Sequence, residues 1–388
     1  MKILLLAPHP FFQNRGTPIA VKLMLEALSA QGHIISILTY PEGDDVSIAN
    51  CEIIRLPALP WSNNVKPGPS LKKIAYDLLM FFKARKPLES RKFNLIHAVE
   101  ESVFIAKHLK KRFGIPFIYD MDSSLPEQVI EKYEFFRIFM PLLRKIEKWM
   151  ILDSFGVIPV CKAIEERVRK YDPSKLIQRL EDVSLLPAEP IGNIDRQQKI
   201  DIDGPIIMYI GNLEKYQGID LLMESFKIVS KKITEASLVI IGGSKKDIEN
   251  YKLFADRLGI GKKTLFLGPR PLSELSIYFE QADILASPRI KGQNTPMKIY
   301  SYLDSKKPVL ATNLPTHTQV LDNKIAYLVE ANPQSMSEGM MKLLKNKSLS
   351  KRLSINAKKR VQQEYSIEAF ERKISRYYRT IESKIANT

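Results

Sequence analysis

The sequence predicts an α/β protein with two doubly wound domains, each built on a parallel sheet. Its 388 residues exceed the usual size of one domain, so two domains are expected. Short apolar runs alternate with amphipathic stretches in both halves, which is typical of buried parallel strands with helices on both faces. Residues 188–204 are polar and non-periodic, as a linker would be. The predicted domains are therefore 1–190 and 191–364.

In the first domain, short apolar runs bounded by turn residues predict the strands. The helix after the first strand has clear end signals, because Thr17 can cap it, Pro18 suits its first turn and Gly32 can end it. The predicted strands are KILLLAP, IISILTY, CEIIRLP, FNLIHAV, PFIYDMD and SFGVIPV.

In the second domain the same alternation starts again after the linker. Ligands of doubly wound sheets bind at the carboxyl ends of the strands, so the loops that follow these strands are the candidate sites. With two such domains, the sequence predicts a central cleft between two facing sheets as the place for a ligand. The predicted strands are PIIMYIG, SLVIIGG, KTLFLG, DILASP, KPVLAT and IAYLV.

Composition limits the class of protein and of partner. A net charge of +16 fits nucleic acid, an acidic membrane surface or a phosphate-bearing small molecule. Two cysteines far apart in the chain argue against a disulfide scaffold or a zinc site. The N-terminal apolar run is about six residues, shorter than a signal-peptide core, and no stretch approaches the ~20 apolar residues that span a bilayer. We expect a cytoplasmic protein, with peripheral contact at the inner face of the cell membrane left open.

Three loops after predicted strands carry candidate binding residues. In "APHPFFQNRGTP", Gly16 permits close approach of a ligand to the backbone, and the helix start after it can hold an anion or a hydroxyl. In "YIGNLEKYQGID", Gly211 ends a strand and Lys215 can meet a phosphate. In "IIGGSKKD", Gly242 and Gly243 indicate either close approach to a ligand or a tight turn.

The fourth loop is "SPRIKGQNTPMK", which runs from a strand into a helix. Asn294 or Thr295 is predicted to cap that helix, and Pro296 suits its first turn. Lys298 lies in the first turn, where a cation opposes the helix dipole, and an anion bound there would offset this cost. Together with Arg289, this loop is the strongest candidate for a diphosphate site.

Several segments in order resemble the retaining, two-domain GT-B glycosyltransferases of glycosyltransferase family 4, also called group 1 glycosyl transferases. The resemblance begins at the loop ending in "GTP" and covers nearly the whole chain. The other segments that carry it are FNLIHA, GIPFIYDMDSS, YIGNLEKYQGIDLLMESF, SLVIIGG, LFLGPRP, YFEQADILASP and TPMKIYSYLDSKKPVLAT.

The resemblance implies transfer of a sugar from a nucleotide-diphosphate donor held mainly by the second domain. It further implies a glycan or lipid-linked acceptor on the first domain, retention of the anomeric configuration, no tightly bound cofactor and no metal. The C-terminal helix, 365–388, would cross back to the first domain. The acceptor-binding candidates are Arg15, Gly16, Thr17 and His97. The donor-binding candidates are Gly211, Asn212, Lys215, Gln217, Gly242, Gly243, Arg289, Asn294, Thr295, Pro296, Met297, Lys298 and Ser301.

The sequence departs from the family pattern at the positions that carry its chemistry. The two glutamates of the last motif are replaced by Gln293 and Ser301, and the basic pair of the second-domain loop by Asn212 and Gln217. The histidine near the reacting carbon falls on Asp122, which is the catalytic candidate. An aspartate there can accept a hydrogen bond from a sugar hydroxyl or stabilise positive charge at the anomeric carbon. His97 matches an earlier histidine and fits a structural role better than a catalytic one.

Two basic stretches of the first domain combine apolar and cationic residues. Residues 66–92 contain eight Lys or Arg and two Asp or Glu, and residues 132–151 mix aromatic residues with Lys and Arg. Such stretches either lie on an anionic membrane or are helices that pack on the core with solvated basic faces.

Other functions stay open from sequence. A nucleotide-sugar epimerase or a sugar phosphorylase can share the two-domain architecture, and the missing glutamates also fit a catalytically silent partner protein of the same fold. A nucleic-acid-binding protein fits the net charge, but no recognition motif, zinc spacing or clustered basic tail supports it, so we expect no nucleic acid partner.

Overall fold

The computed structural model describes residues 1–13, 16–59, 70–186, 199–292 and 294–387. The chain forms two compact units. The first unit comprises Met1–Glu181 together with Phe370–Thr388, and the second comprises Asp182–Ala369. Each unit has its own parallel sheet and its own hydrophobic core. The predicted α/β class with two doubly wound domains is therefore confirmed.

The sheet of the first unit has seven described strands in the order β3-β2-β1-β4-β5-β6-β7, all pairs parallel. Its strands are β1 (Lys2–Ala7), β2 (Ile34–Thr39), β3 (Cys51–Arg55), β4 (Leu95–Val99), β5 (Phe117–Met121), β6 (Gly156–Pro159) and β7 (Leu176–Ile177). Its helices are α1 (Gly16–Ala30), α2 (Leu71–Lys83), α3 (Arg85–Ser90), α4 (Val103–Phe113), α5 (Leu125–Lys132), α6 (Met140–Asp153) and α7 (Lys162–Tyr171).

The sheet of the second unit has six described strands in the order β10-β9-β8-β11-β12-β13, again all parallel. Its strands are β8 (Ile206–Ile210), β9 (Ser237–Ile241), β10 (Thr264–Gly268), β11 (Ile284–Ser287), β12 (Val309–Thr312) and β13 (Tyr327–Val329). Its helices are α8 (Ile219–Lys232), α9 (Lys245–Leu258), α10 (Leu275–Gln281), α11 (Lys298–Asp304), α12 (Pro315–Thr318), α13 (Pro333–Lys345) and α14 (Lys347–Arg360), and α15 (Ile367–Ala386) follows.

The strand order of each sheet determines where a ligand can bind. In the first unit the order reverses between β1 and β4, and in the second unit between β8 and β11. At such a switch point the loops leave the carboxyl ends of neighbouring strands towards opposite faces, which opens a crevice. The loops after β8 and β11 contain Gly211 and Arg289, so two predicted donor loops start at the switch point of the second unit.

Helix α15 is anchored in the first unit by buried polar contacts. The Tyr377 hydroxyl lies 3.3 Å from the carbonyl oxygens of both Val157 and Leu176. Lys373 pairs with Glu181 at 2.8 Å. The unit boundaries fall at 181/182 and 369/370, whereas the sequence placed the domain boundaries at 190 and 364.

The start of α1 differs by one residue from the sequence prediction. The helix begins at Gly16, so Thr17 lies inside its first turn and is not the cap. Gly16 has a φ of +26°, a backbone conformation that favours glycine at this start. Arg15 lies outside the described residues.

Candidate functional site

Lys298 is the centre of the candidate site, at the start of α11 and beside the carboxyl end of β8. Its Nζ donates a hydrogen bond to Gln217 Oε1 at 3.1 Å. The same ammonium lies 3.9 Å from the ring centroid of Tyr209, close enough for a cation–π contact. The Tyr209 ring is held in place because its hydroxyl donates to the Asn212 carbonyl at 2.6 Å.

The environment of Lys298 is unfavourable for a charge that has no counterion. Desolvation, followed by the positive charge of Arg289, lowers the pKa of Lys298 well below its usual range. Within the described part of the chain, no carboxylate lies at ion-pair distance from Nζ, although the residue keeps some solvent exposure. A neighbouring anion would relieve this cost, because an opposite charge favours the ammonium form.

Arg289, two residues after β11, adds a second cation and fixes the loop. Its Nε donates to the Lys291 carbonyl at 2.7 Å, and its guanidinium lies 5.1 Å from the ring centroid of Tyr216. The Arg289 carbonyl accepts a hydrogen bond from Thr312 Oγ1 at 2.6 Å. The loop after β11 is therefore tied to the end of β12 and to the loop after β8.

His317 is a site residue that sequence reasoning missed. It is fully buried between the ends of β11 and β12. Its Nδ1 lies 2.9 Å from the Thr312 carbonyl and its Nε2 lies 2.8 Å from Ser287 Oγ, so Nδ1 donates and Nε2 accepts. Burial, together with the charges of Lys298 and Arg289, lowers the pKa of His317 to about 3, which keeps the ring neutral. A histidine shortly after a strand, in "ATNLPTH", was the available signal.

The predicted helix caps of the fourth loop are wrong. Helix α11 begins at Lys298, its N-cap residue is Met297, and that end has no side-chain cap hydrogen bond. The Ile299 N–H donates to the Pro296 carbonyl at 2.9 Å. This bond spans three residues instead of the four of an α-helix, so the turn before α11 is tighter than a helical turn. Thr295 is buried instead of capping.

Other predicted donor residues of these loops have partners within the protein. The Asn294 carbonyl accepts a hydrogen bond from Arg289 Nη1 at 3.3 Å. Ser301, proposed as a ribose contact, is buried and accepts the Leu185 N–H at 3.2 Å, which ties it to the backbone. Gln293, the other replaced glutamate position, lies outside the described residues.

The two glycines after β9 are required by protein packing. Gly242 has a φ of +110°, and a Cβ atom there would lie 2.2 Å from the Gly211 carbonyl oxygen. At Gly243, with a φ of +82°, a Cβ atom would lie 2.5 Å from Leu213 Cδ1. The sequence left open whether these glycines permit close approach to a ligand or form a tight turn. The packing of the turn is sufficient to explain both glycines.

Lys215 and Asn212 lie in the loop that also contains Gln217. Lys215 is exposed in a short 3₁₀ turn, Lys215–Gln217. Asn212 is exposed, and its Nδ2 donates to the Tyr216 hydroxyl at 3.4 Å. Both side chains therefore lie on the solvent side of the loop whose inner side holds Lys298.

In the first unit, two carboxylates follow neighbouring strands at the carboxyl edge of the sheet. Asp122 directly follows β5 and is partly exposed. Glu100 directly follows β4, is nearly buried and has a φ of +48°, which is rare for a residue with a side chain. Its Oε1 accepts from Ser123 Oγ at 3.1 Å and from Gln128 Nε2 at 3.0 Å. Sequence reasoning missed Glu100, although "AVEES" at a strand end was a usable signal.

His97 belongs to the core and not to an acceptor surface. It lies in β4 with no exposed surface. Its Nε2 is 2.9 Å from Asp120 Oδ2 and its Nδ1 is 2.5 Å from the Tyr378 hydroxyl. Since the carboxylate can only accept, Nε2 donates and Nδ1 accepts from Tyr378. The acceptor-binding role predicted for His97 does not fit this position.

The described residues lack two features, a cluster of metal-ligating side chains and a membrane-spanning helix. They contain no group of three or more His, Cys, Asp or Glu side chains arranged to hold a metal ion. None of the helices in the described ranges combines the length and apolar character needed to cross a bilayer.

Family models match both halves of the chain. The model "Glycosyltransferase Family 4" matches residues 15–178, and the model "Glycosyl transferases group 1" matches residues 191–360. The chain belongs to the group 1, family 4 glycosyltransferases. The family resemblance read from the motifs is therefore confirmed.

Individual relatives of this glycosyltransferase are distant in sequence. An uncharacterized glycosyltransferase of Haemophilus influenzae is 24% identical over 61% of this chain and 65% of its own length. The alpha-monoglucosyldiacylglycerol synthase of Streptococcus pneumoniae is 20% identical over 84% of this chain and 74% of its own length.

Solved structures agree with the GT-B fold. Sucrose-phosphate synthase from Thermosynechococcus elongatus has a TM-score of 0.78 at 19% identity, covering 99% of both chains. Anabaena HepE in complex with UDP has a TM-score of 0.71 at 12% identity, covering 98% of this chain and 100% of that one. At this level of identity the likeness shows the fold alone.

The first prediction concerns the glycine turn. We expect Gly242→Ala to lower the free energy of unfolding by about 2–6 kcal/mol, because it adds both backbone strain and overlap with Gly211. Gly259→Ala is the matched control, since Gly259 has a φ of +75° but no atom within 4 Å of a built Cβ, and strain alone costs about 1–2 kcal/mol. Urea denaturation measures both. Equal losses would contradict the packing explanation.

The second prediction concerns Lys298 and pH. Its pKa is lower in the folded protein than in the unfolded chain, so the folded state is destabilised once the pH falls below the unfolded pKa near 10.5. This penalty grows as the pH falls towards the folded pKa and is constant below it. We expect Lys298→Met to raise the free energy of unfolding at about pH 7, and the gain to shrink towards about pH 10.

Denaturation of both proteins at the two pH values checks this expectation. Lys291→Met removes an exposed lysine of the same loop and is the control, with no pH-dependent gain expected. A variant Lys298→Met that is less stable than the wild type at neutral pH would contradict the prediction, because it would show that the contacts of Lys298 outweigh its desolvation cost.

Proposed function

We propose that the protein transfers a sugar, with retention of configuration and without a metal, from a nucleotide-diphosphate sugar to a glycan or lipid-linked acceptor. The observation that carries the proposal is the Lys298 ammonium, which lies at the switch point of the second sheet without a paired carboxylate among the described residues. Its surroundings favour an anion as partner. A diphosphate is the anion that a glycosyltransferase of this family is expected to release.

The chemistry follows from where charge develops. As the bond between the anomeric carbon and the diphosphate breaks, negative charge grows on the leaving oxygen. Lys298 would stabilise that charge directly, and Arg289 would strengthen the positive potential, in a partly desolvated setting where such interactions are strong. These two side chains would supply the charge that a metal ion provides in other transferases.

Asp122 is the proposed catalytic carboxylate of the first unit. It is partly exposed at the carboxyl edge of that sheet, and the neighbouring strand β4 is followed by Glu100. A carboxylate at this edge can accept a hydrogen bond from a sugar hydroxyl or stabilise positive charge on the anomeric carbon. Two structural neighbours are described as complexes with UDP and with UDP-glucose, which supports a nucleotide sugar as the donor here.

The alternatives are a nucleotide-sugar epimerase and a catalytically silent partner protein. The replaced glutamate positions favour the silent partner, and the cationic pair Lys298 and Arg289 favours an enzyme. Product analysis separates them, because an epimerase needs no acceptor and a silent partner turns over no donor. The anomeric configuration of a transferred sugar, measured by NMR, tests retention.

The third prediction concerns donor binding. We expect at least one nucleoside diphosphate to raise the melting temperature, with EDTA present, because a ligand of the folded state stabilises it by mass action. Lys298→Ala is expected to weaken that binding about 10- to 100-fold, the range for loss of one hydrogen bond to a charged group. Differential scanning fluorimetry with a panel of nucleoside diphosphates is the measurement.

Lys291→Ala is the matched control for this experiment. Lys291 is exposed in the same loop as Arg289. Its replacement by alanine therefore changes the net charge by the same amount as Lys298→Ala but leaves the surroundings of Lys298 unchanged. Binding that is unchanged in Lys298→Ala, or equally weakened in both variants, would remove the observation on which the proposal depends.

We also propose that the first unit rests on an anionic membrane surface. Helix α2 exposes an apolar stripe in which Leu71 is 84% exposed, and the segment before α6 exposes Phe135 at 75% and Ile138 at 68%. The ammonium groups of Lys145 and Lys107 lie 5.7 and 5.9 Å from the Trp149 ring centroid. Aromatic and aliphatic side chains flanked by cations suit the interface of an anionic bilayer.

The fourth prediction tests this contact. We expect co-sedimentation with phosphatidylglycerol vesicles, weakened by salt and weaker with phosphatidylcholine vesicles. The double variant Phe135→Gln, Ile138→Gln should bind about tenfold or more weakly, since each buried apolar side chain contributes about 1.5–3 kcal/mol. Leu253→Gln, at a residue 63% exposed in the second unit, is the control and should bind like the wild type. Binding unaffected by the double variant would refute the contact.

A further inference from the structure

A pocket of about 250 Å³ lies within the first unit, between helices α2, α4, α5 and α6. Its wall is mostly carbon and is formed by side chains from all four helices. The apolar residues that line it include Ile74, Phe104, Leu125, Val129, Leu143 and Ile146. A pocket with such a wall suits an apolar group and not a sugar, which needs hydrogen-bonding partners.

The polar residues at this pocket are already paired with one another. Lys73 pairs with Glu101, and the Tyr40 hydroxyl donates to Asp77 Oδ1 at 2.5 Å. Glu147 accepts from Ser124 Oγ at 2.7 Å and pairs with Arg144. Since their hydrogen-bonding capacity is largely used inside the protein, these groups do not make the pocket a polar site.

Helix α2 shows why the pocket is open to apolar ligands from outside. Its partly buried side includes Lys73 and Asp77, whereas Ile74 and Leu78 lie on its exposed side. Tyr76 and Met80 of the same helix are buried in the core, so α2 carries apolar residues on its exposed side as well as on its inward side. Ile74 belongs both to this exposed stripe and to the pocket wall, so the exposed apolar surface continues into the pocket.

The pocket also adjoins the carboxyl edge of the first sheet. Gln128 lines the pocket, and its Nε2 donates to Glu100 Oε1 at 3.0 Å. Glu101 also lines the pocket, and it is the next residue after Glu100, which directly follows β4. A molecule with its apolar part in the pocket would therefore have its polar end beside Glu100, where a doubly wound sheet binds its ligands.

We propose that this pocket holds the hydrocarbon chain of the acceptor, so that the acceptor is a lipid-linked molecule taken from an anionic bilayer. This inference rests on the proposed sugar transfer and selects the lipid-linked acceptor over a free glycan. The exposed Lys145 beside Trp149 complements the anionic headgroups around such a molecule, and Ile74 connects the exposed surface of α2 to the pocket wall.

The test is binding of n-alkyl β-D-glucosides of increasing chain length, below their micelle-forming concentrations, measured by isothermal titration calorimetry without donor. We expect affinity to rise about fourfold for each added methylene, the value for a methylene moved from water into an apolar site. Val129→Phe fills the pocket and should abolish this dependence, and Ile146→Phe is a second filling variant in case the first does not fold. Leu78→Gln is the matched control, exposed on α2 but outside the pocket wall.

Each outcome decides the question. A chain-length dependence that is lost in a filling variant and kept in Leu78→Gln supports the pocket. Absence of the dependence in the wild type, or its survival in both folded filling variants, overturns it in favour of surface adsorption. A dimer in sedimentation velocity that a filling variant breaks would assign the pocket to a second copy of the chain and also overturns it. Stabilisation by nucleoside diphosphates, measured on the same variants, tests the proposed function separately, because Lys298 lies in the other unit.

Discussion

The second unit depends on a cation held at the switch point of its sheet without a paired carboxylate in the described ranges. Placing an ammonium group in a partly desolvated position is costly unless it is paired. Here the Tyr209 ring and the Gln217 amide hold Lys298, and both are weaker partners than a carboxylate. A carboxylate beside Lys298 would stabilise the folded protein, but it would also compete with an anionic ligand for the ammonium group. For the proposed diphosphate site, this environment would give up stability in exchange for anion binding.

The surrounding residues maintain that positive potential. Arg289 adds charge on the same side, and the buried His317 stays neutral, so it orients the ends of β11 and β12 without adding a third positive charge. The turn at Gly242 brings the backbone after β9 against Gly211, which fixes the loop that begins beside Lys298. Packing therefore determines the shape of the loop that surrounds Lys298.

Sequence patterns predicted the architecture and the main cations, because alternating apolar runs and loops at strand ends are local features. They did not predict features that depend on distant parts of the chain. His97 is fixed by Tyr378, 281 positions later, so its burial could not be read from its neighbours. The caps at Asn294 and Thr295 failed because the turn closes one step later, at Pro296. The left-handed backbone conformation of Glu100 leaves no mark in composition, so only its place directly after a strand could have indicated it.

Helix α2 illustrates the limit of periodicity in this protein. Its spacing defines an apolar face and a polar face, but spacing alone does not say which face meets the core. The inward face combines Tyr76 and Met80, which are buried in the core, with Lys73 and Asp77, which find partners in Glu101 and Tyr40. With those contacts made, Leu71 and Ile74 face outward. The exposed apolar surface is therefore a consequence of core packing and polar pairing together, and a change that removed Glu101 would remove one of the contacts that orient α2.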